Sequence, residues 1–243
     1  MRALITRPSA DADTLAKALE SRGIEAMVEP LLEIALLPNA TVDFTGVQGV
    51  LITSANGVRI LASATTRRDL PVWAVGGASA AEARRLGFSE VASADGNVAA
   101  LTALVAARVD PKRGALLHPA GRHVAGDLAA GLGKRGFETR RITLYEAHPA
   151  QAFSANLRTA LAAHSIDLAV FFSPRTAATF VRLARSAGLD GVCATIRAYV
   201  LSDAVAEAFE TLGWRMVRVA GQPTQEALLA AIDADAASGR AAG

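Results

Sequence analysis

Two short segments of the sequence each place a serine at the start of a predicted helix, an arrangement that suits anion binding. Ser54-Ala55-Asn56-Gly57 and Ser173-Pro174-Arg175-Thr176 both follow apolar runs typical of buried strands. The serine side chain can accept a hydrogen bond from the first helical turn, and the other backbone N–H groups of that turn can bind an anion. Helix capping alone is an equally good interpretation of each serine. The candidate ligand-binding residues are Ser54, Ala55, Asn56, Ser173, Pro174 and Arg175.

A glycine-rich segment forms a third candidate site. Gly76-Gly77-Ala78-Ser79 follows the predicted strand Val72–Val75 and opens another predicted helix. Because glycines carry no side chain, the backbone amides near Gly76 would be accessible to an anion. The glycine pair also raises the alternative of a nucleotide-dependent oxidoreductase. Its spacing, however, is not the G-x-G-x-x-G pattern that binds dinucleotides.

Three arginines follow the ends of predicted strands, where parallel sheets usually bind their ligands. They are Arg7, Arg122, which comes directly after Gly121, and Arg175. A guanidinium group can bind a carboxylate through two parallel hydrogen bonds, so these arginines are candidates for contact with an acidic ligand. The alternative for each of them is a solvent-exposed surface side chain.

The elements that would position these residues alternate between strands and helices. Apolar strand-like runs are followed by alanine-rich segments of helical period, which predicts an α/β fold with parallel sheets flanked by helices. The first such unit comprises a strand at Ala3–Thr6 and a helix capped near Ser9 or Asp11. Its buried face contains Leu15, Ala16 and Leu19, and Gly23 ends it.

The same pattern recurs later in the chain. Arg22-Gly23 matches Arg135-Gly136, and Leu31-Leu32-Glu33 matches Leu144-Tyr145-Glu146, both at an offset of 113 residues. Further matches follow with larger offsets, as insertions in loops would produce. We therefore predict two similar α/β halves.

Composition and charge argue against several classes of protein. A formal net charge of +2 with scattered charged residues disfavours nucleic-acid binding. Apolar runs are far shorter than the roughly 20 residues that span a bilayer, so we expect no membrane association. The single cysteine, Cys193, has no partner at metal-ligand spacing and is predicted to be a small buried residue. The start of the chain leads directly into a strand, so we expect no signal peptide and a cytoplasmic location.

Seven short motifs follow one another along nearly the whole chain. They are Leu4-Ile5-Thr6-Arg7-Pro8, Pro30-Leu31-Leu32-Glu33-Ile34, Leu51-Ile52-Thr53-Ser54-Ala55-Asn56-Gly57-Val58, Val75-Gly76-Gly77-Ala78-Ser79-Ala80, Leu144-Tyr145-Glu146-Ala147, Phe171-Phe172-Ser173-Pro174 and Pro223-Thr224. Each motif has little specificity alone. Their order resembles that of the uroporphyrinogen-III synthase family.

The resemblance implies a particular domain organisation. Two similar small α/β domains would face each other across a cleft and be joined by a two-stranded connector. Residues 1–36 with 149–243 would form one discontinuous domain, and residues 37–148 the other. The crossings would lie near Leu36 and His148.

The resemblance also implies an activity. A member of this family would be a hydro-lyase of heme biosynthesis that cyclises hydroxymethylbilane to uroporphyrinogen III, with inversion of ring D and loss of water. The substrate bears acetate and propionate side chains, which suits a site rich in hydrogen-bond donors and positive charge. We expect no metal, no cofactor, no nucleic-acid or membrane partner, and a monomer.

Three site residues take their roles from the resemblance. Tyr145 matches a tyrosine of the family's cleft and is the candidate catalytic donor to the departing hydroxyl group, although aromatic packing is the alternative. Ser79 occupies a position where the family commonly has threonine and either binds a carboxylate or serves as an inward-facing structural hydroxyl. The segment Leu201-Ser202-Asp203 departs from a glycine-then-threonine pattern, so Ser202 is only a substitute candidate.

A second function remains open at this point. Two α/β lobes around a cleft also suit a non-catalytic small-ligand-binding module, which would bind its ligand without changing it. Exposure to hydroxymethylbilane distinguishes the two, because only the enzyme would produce isomer III.

Overall fold

The computed structural model describes residues 1–37, 41–122, 127–209 and 211–241. The chain divides into two compact units, one made of residues 1–33 with 148–243 and the other of residues 34–147. Within the described residues, no helix combines the length and apolar character needed to cross a bilayer.

The strands and helices alternate along the chain, as the sequence pattern predicts. In chain order the strands are β1 (Arg2–Ile5), β2 (Glu25–Val28), β3 (Leu32–Leu36), β4 (Val47–Ile52), β5 (Val72–Ala74), β6 (Val91–Ser93), β7 (Ala115–Gly121), β8 (Thr139–Pro149), β9 (Leu168–Phe171), β10 (Arg197–Val200) and β11 (Met216–Val219). The helices are α1 (Ser9–Glu20), α2 (Ala55–Ala64), α3 (Gly77–Arg85), α4 (Val98–Arg108), α5 (Leu128–Gly133), α6 (Ala155–Ala162), α7 (Pro174–Ser186), α8 (Asp203–Glu207) and α9 (Gln225–Ala241).

The first unit is built on a five-stranded sheet with the order β11-β10-β9-β1-β2. All of its neighbouring strands run parallel. The central strands are buried on both faces, as parallel sheets covered by helices require. One face packs Phe171 against Phe180, Phe209 and Trp214, and the other packs against Leu15 of α1.

The second unit contains a six-stranded sheet with the order β3-β8-β7-β4-β5-β6. The strands from β8 to β6 pair in parallel, and the Leu37 N–H of the segment after β3 donates to the Leu144 carbonyl of β8. Val50 and Ile52 of β4 pack on the face covered by α2 and α3, whereas Leu51 packs on the face with α4 and α5. This alternation is the period of two expected of a strand.

The two sheets share a strand order. Strand by strand, the order β2-β1-β9-β10-β11 in the first sheet corresponds to the order β8-β7-β4-β5-β6 in the second sheet. The segments that repeat in sequence occupy equivalent positions, because Gly23 lies three residues after α1 with a φ of 71° and Gly136 lies three residues after α5 with a φ of 84°. The predicted α/β class with parallel sheets flanked by helices is confirmed.

Two local predictions need correction. Helix α1 begins at Ser9, with Pro8 in the N-cap position and no side-chain cap hydrogen bond, so neither Ser9 nor Asp11 caps it. The fixed φ of proline is compatible with this position, but its ring has no oxygen that could accept a hydrogen bond from the first turn. Strand β5 ends at Ala74, because Val75 already belongs to the turn that leads into α3.

Candidate active site

In the second unit, the predicted site residues gather at one edge of the sheet. Ser54 follows the end of β4, Gly76 follows the end of β5, and Gly121 is the last residue of β7. These three strands are neighbours and run parallel, so their carboxyl ends lie at the same edge. This is the edge where open parallel sheets bind ligands.

The Ser54 and Tyr145 hydroxyl groups contact each other at this edge. Their oxygens are 2.9 Å apart, and both side chains are half-buried. The Ser54 Oγ also accepts a hydrogen bond of 3.1 Å from the Gly57 N–H, which fixes Ser54 as the N-cap of α2. Each hydroxyl carries one hydrogen, and their mutual bond uses one of the two. Whichever group donates, one hydroxyl hydrogen therefore remains for a ligand.

Gly121 and Arg122 lie next to Tyr145. Gly121 pairs with Tyr145 in the register of β7 and β8, and the Arg122 N–H donates to the Tyr145 carbonyl at 3.0 Å. The Arg122 guanidinium forms an ion pair with Glu146, at 2.7 Å from Nε to Oε2, and its side chain is 60% exposed. This exposed pair contributes little to stability, and Arg122 lies at the sheet edge where an acidic ligand would compete with Glu146.

Asn56 belongs to a charged cluster that joins α2 and α3. The Arg59 Nη1 donates to the Asn56 side-chain oxygen at 3.0 Å, and the Arg59 Nε donates to Glu82 at 2.7 Å. Glu82 also accepts two hydrogen bonds from Arg85. The Arg85 and Arg59 guanidinium groups lower the pKa of Glu82 to about 2. With the Asn56 oxygen occupied by Arg59, the amide nitrogen is the group it can offer to an acceptor.

Gly76 and Ser79 lie at the start of α3. Gly76 is the N-cap residue with an extended backbone, and a Cβ placed on it would meet open space. A larger side chain would therefore fit at Gly76, and the accessibility of these amides to an anion stays a prediction. Ser79 is only 7% exposed, which agrees with the structural alternative for its hydroxyl.

A buried histidine lies beneath this edge and was not among the candidates from the sequence. His118 of β7 is 4% exposed, and its Nε2 lies 3.1 Å from the Thr53 Oγ1. Burial and the nearby Arg141 charge lower the pKa of His118 to about 4, so its imidazole is neutral at neutral pH. The available signal was a lone polar residue directly after the apolar run Ala115–Leu117.

The equivalent corner of the first unit begins with Ser173. Ser173 is the N-cap of α7, and its Oγ accepts a hydrogen bond of 3.2 Å from the Thr176 N–H. The same oxygen contacts the Thr176 hydroxyl at 2.7 Å, in place of the phenol found beside Ser54. Pro174 occupies the first helical position, and Arg175 is exposed in the first turn.

Arg7 follows β1, which is a neighbour of β9 in the same sheet. Its guanidinium carbon lies 4.2 Å from the centre of the Phe172 ring, and Nη1 donates to the Gln225 side-chain oxygen at 3.2 Å. A longer contact of 3.9 Å joins Nη2 to Asp11. Arg7 therefore lies at the carboxyl-end edge of this sheet with its guanidinium oriented by its neighbours.

Ser202 occupies the N-cap position of α8 after β10, but its side chain makes no cap hydrogen bond. The next residue, Asp203, is exposed in the first helical turn, where a carboxylate interacts favourably with the helix dipole. Ser202 and Gly76 therefore hold equivalent positions in the two sheets, each as an N-cap residue without a side-chain cap.

Comparison with known protein families identifies the family of this chain. The family model described as uroporphyrinogen-III synthase HemD matches residues 13–230, which is most of the chain. The chain belongs to the uroporphyrinogen-III synthase family. The family expected from the order of motifs is thereby confirmed, together with the hydro-lyase class and the link to heme biosynthesis. In a direct comparison of sequences, no curated protein matches the chain.

Solved structures of the uroporphyrinogen-III synthase family share the fold. A uroporphyrinogen-III synthetase from Helicobacter pylori matches with a TM-score of 0.60 at 14% identity, covering 96% of this chain and 99% of that one. A mutant uroporphyrinogen III synthase from Thermus thermophilus matches with a TM-score of 0.56 at 16% identity, covering 99% of each chain. At these identities the structural likeness concerns the fold alone.

Proposed function

We propose that this chain acts as a uroporphyrinogen-III synthase, which converts hydroxymethylbilane to uroporphyrinogen III with loss of water and inversion of ring D. The observation that carries the proposal is the family match over residues 13–230. The alternative of a non-catalytic binding module is not favoured, because the family is one of enzymes and the edge of the second unit holds a hydroxyl pair suited to proton donation.

In the proposed mechanism, Tyr145 assists the loss of water. Its phenol donates a hydrogen bond to the departing hydroxyl group of the bilane, while Ser54 donates to the phenol oxygen and offsets the negative charge that develops there. The phenol proton passes to the departing hydroxyl group, which leaves as water, and the bilane becomes an azafulvene-like cation. Ring D bonds to the cationic carbon through its own substituted α-carbon, which gives the spiro intermediate. The bond from that α-carbon to the methylene shared with ring C then breaks, and the freed methylene bonds to the unsubstituted α-carbon of the turned ring. That carbon loses its proton, which restores the phenol, and isomer III results.

The remaining candidates bind substrate carboxylates. Helix starts at Ser54, Gly76, Ser173 and Ser202 provide backbone N–H donors, and Arg7, Arg122 and Arg175 provide positive charge. Holding the bilane in one conformation supplies most of the rate increase in this proposal, since a positioned reaction avoids much of the entropic cost. Ala55, Asn56, Gly121 and Pro174 would line the same binding surfaces, whereas the buried Ser79 would serve as a structural hydroxyl.

The proposal includes the domain organisation implied by the family. Residues 1–36 with 149–243 and residues 37–148 would be two domains that share one substrate, joined by a two-stranded connector of β3 and β8. It also includes a cytoplasmic monomer that acts without nucleic acid. The support for the domains is the presence of two compact units with the same strand order.

Product analysis tests the activity. Freshly generated hydroxymethylbilane is incubated with the purified chain, the products are oxidised to porphyrins, and the isomers are separated by chromatography. We expect isomer III, with heat-inactivated protein giving the symmetric isomer I that forms spontaneously. Isomer I alone from the active preparation would contradict the proposal, and bound but unchanged bilane would favour the binding module.

A further inference from the structure

Two glycines lie on either side of the Ser54–Tyr145 hydroxyl pair. Gly121 is the last residue of β7, and Gly57 lies in the first turn of α2. Neither has a positive φ, so backbone conformation does not require glycine at these positions. Glycine is required at both positions for steric reasons, because a side chain at either one would collide with its surroundings.

Gly121 leaves room for the Tyr145 ring. A Cβ on Gly121 would lie 2.8 Å from Cε2, 3.0 Å from Cζ and 3.3 Å from Cδ2 of Tyr145. Distances below about 3.4 Å between carbon atoms are repulsive. The contact involves the ring carbon that carries the hydroxyl group, so an added methyl group would act directly on the position of the phenol.

The backbone around Gly121 is held in place, so the ring is the part that must move. The Gly121 carbonyl accepts a hydrogen bond of 2.9 Å from the Arg141 Nη2, which also binds the Arg122 carbonyl at 2.9 Å. The Arg122 N–H donates in turn to the Tyr145 carbonyl at 3.0 Å. These bonds fix the backbone of β7 and β8 at the point where the ring lies.

Gly57 has the corresponding effect on the serine side of the pair. A Cβ on Gly57 would lie 2.9 Å from the Pro119 carbonyl oxygen of β7 and 3.5 Å from the Ser54 Oγ. The absence of that atom lets the first turn of α2 approach β7 closely. The Gly57 N–H meanwhile donates to the Ser54 Oγ, so the position of this residue also orients the serine hydroxyl.

We propose that Gly121 and Gly57 are positioning residues, which set the Ser54 and Tyr145 hydroxyl groups at hydrogen-bond distance and thereby aim the remaining hydroxyl hydrogen at the substrate. The inference rests on the proposed function for its effect on turnover. Its effect on the tyrosine is independent of any activity. A misplacement of about 1 Å in a catalytic group can lower the rate by roughly 100-fold.

Spectroscopy tests the positioning directly. The chain contains two tyrosines, Tyr145 and Tyr199, so protein labelled with carbon-13 at the tyrosine Cζ gives two signals, and Tyr145→Phe identifies that of Tyr145. We expect Gly121→Ala and Gly57→Ala each to shift the Tyr145 signal and to leave that of Tyr199 unchanged. The matched control is Gly133→Ala in α5, where an added Cβ would meet no atom within 4 Å and both signals should stay in place.

Kinetics tests the consequence. Gly121→Ala should lower kcat by roughly 10- to 100-fold with a smaller change in KM, and this loss should disappear when the same change is made in Tyr145→Phe, which lacks the hydroxyl. Gly133→Ala should retain full turnover. A general packing defect would instead lower kcat in both backgrounds by the same factor.

The outcomes separate this inference from the proposed function. A folded Gly121→Ala protein with an unshifted Tyr145 signal, or a loss of kcat that persists in Tyr145→Phe, would overturn the positioning role. If Gly121→Ala does not fold, Gly57→Ala decides by the same two measurements, and failure of both to fold would mean that these glycines serve the fold only. A wild-type protein that yields isomer I alone overturns the proposed function, while the carbon-13 signals still decide the positioning.

Discussion

At the scale of single residues, the chemistry proposed for this chain depends on a hydroxyl group that is held still. The Tyr145 phenol is the proposed donor, and its contact with the Ser54 hydroxyl restricts where its hydrogen points. Ser54 is in turn fixed by its role as a helix N-cap, so a common structural device would also orient the proposed catalytic group. A flexible serine at the same place would lose most of this effect.

Removal of the phenol hydroxyl should affect turnover far more than stability. We expect Tyr145→Phe to lower kcat by roughly 10- to 1000-fold, or about 1.4 to 4 kcal/mol, because one positioned donor is lost. Steady-state kinetics with isomer analysis measures this change, and thermal unfolding confirms that the variant is folded. Undiminished turnover in a folded variant would exclude Tyr145 as the donor.

The buried His118 should make stability fall at mildly acidic pH. Its pKa is lowered from 6.5 to about 4 by burial and by the Arg141 charge, so the unfolded chain takes up a proton that the folded chain resists. The contribution of His118 to the free energy of unfolding should therefore have its full value above pH 6.5 and be lost as pH falls from 6.5 through 4, with a total loss of about 3 kcal/mol from this group.

Urea unfolding at pH 7 and pH 4.5 measures this contribution. His118→Gln should show a smaller loss of stability between the two pH values than the unmodified chain, because glutamine does not titrate. The matched control is His164→Gln, which makes the same replacement at an exposed histidine. Equal pH dependence in all three proteins would contradict the role given to His118.

At the scale of secondary-structure elements, the strand-to-helix corner is the recurring unit. In both units, a buried parallel strand ends in an extended serine whose side chain caps the next helix, with nearly the same backbone angles at Ser54 and Ser173. The corners differ in what the serine touches next. The Ser54 oxygen contacts a phenol from another strand of its sheet, whereas the Ser173 oxygen contacts Thr176 of its own helix.

This difference predicts unlike kinetic effects from like substitutions. Ser54→Ala and Ser173→Ala should each reduce stability by about 1 kcal/mol, because both remove an N-cap. Ser54→Ala should lower kcat, since it also removes the partner of Tyr145, while Ser173→Ala should mainly raise KM. Equal effects of the two changes on kcat would show that the Ser54–Tyr145 contact has no catalytic role.

At the scale of the whole molecule, two units with one strand order hold different side chains at their strand-to-helix corners. The second unit contains the hydroxyl pair, and the first has helix starts with Arg7 and Arg175. In the proposed function, the first unit would contribute mainly binding energy, which a positioned reaction requires, while the second would supply the donor. In each unit these residues follow the carboxyl ends of the parallel strands of its own sheet.

A ligand that engages these edges should stabilise the folded chain. Binding of the oxidised product, uroporphyrin III, at about 100 times its Kd should add about 2.7 kcal/mol to the free energy of unfolding and raise Tm. The effect should weaken as the salt concentration rises, because arginine–carboxylate contacts at exposed edges are screened.

The same thermal measurement tests the oxidoreductase alternative. NAD(P) should leave Tm unchanged, and a rise of Tm with NAD(P) would favour that alternative.

Much of the fold follows from short-range patterns in the sequence. Alternating strand and helix periods predict the α/β class, and Gly23 and Gly136 mark helix ends because each needs a positive φ. The predicted cap of α1 is wrong: the polar side chains of Ser9 and Asp11 suggest a cap, but the N-cap position is occupied by Pro8. Cys193 is 1% exposed, as predicted for a small buried residue, and its burial raises the pKa of its thiol to about 12.

The sequence by itself therefore determined the class of fold, the repeated strand-to-helix corners and, through the order of its motifs, the family. Only the tertiary structure decided that the Ser54 hydroxyl meets the Tyr145 hydroxyl, 91 positions away in the chain, and that Gly121 and Gly57 leave the space for it. The physical reason is that local periodicity reflects the face an element buries. The distance between two side chains on different elements depends instead on strand order, register and close packing, which no local pattern encodes.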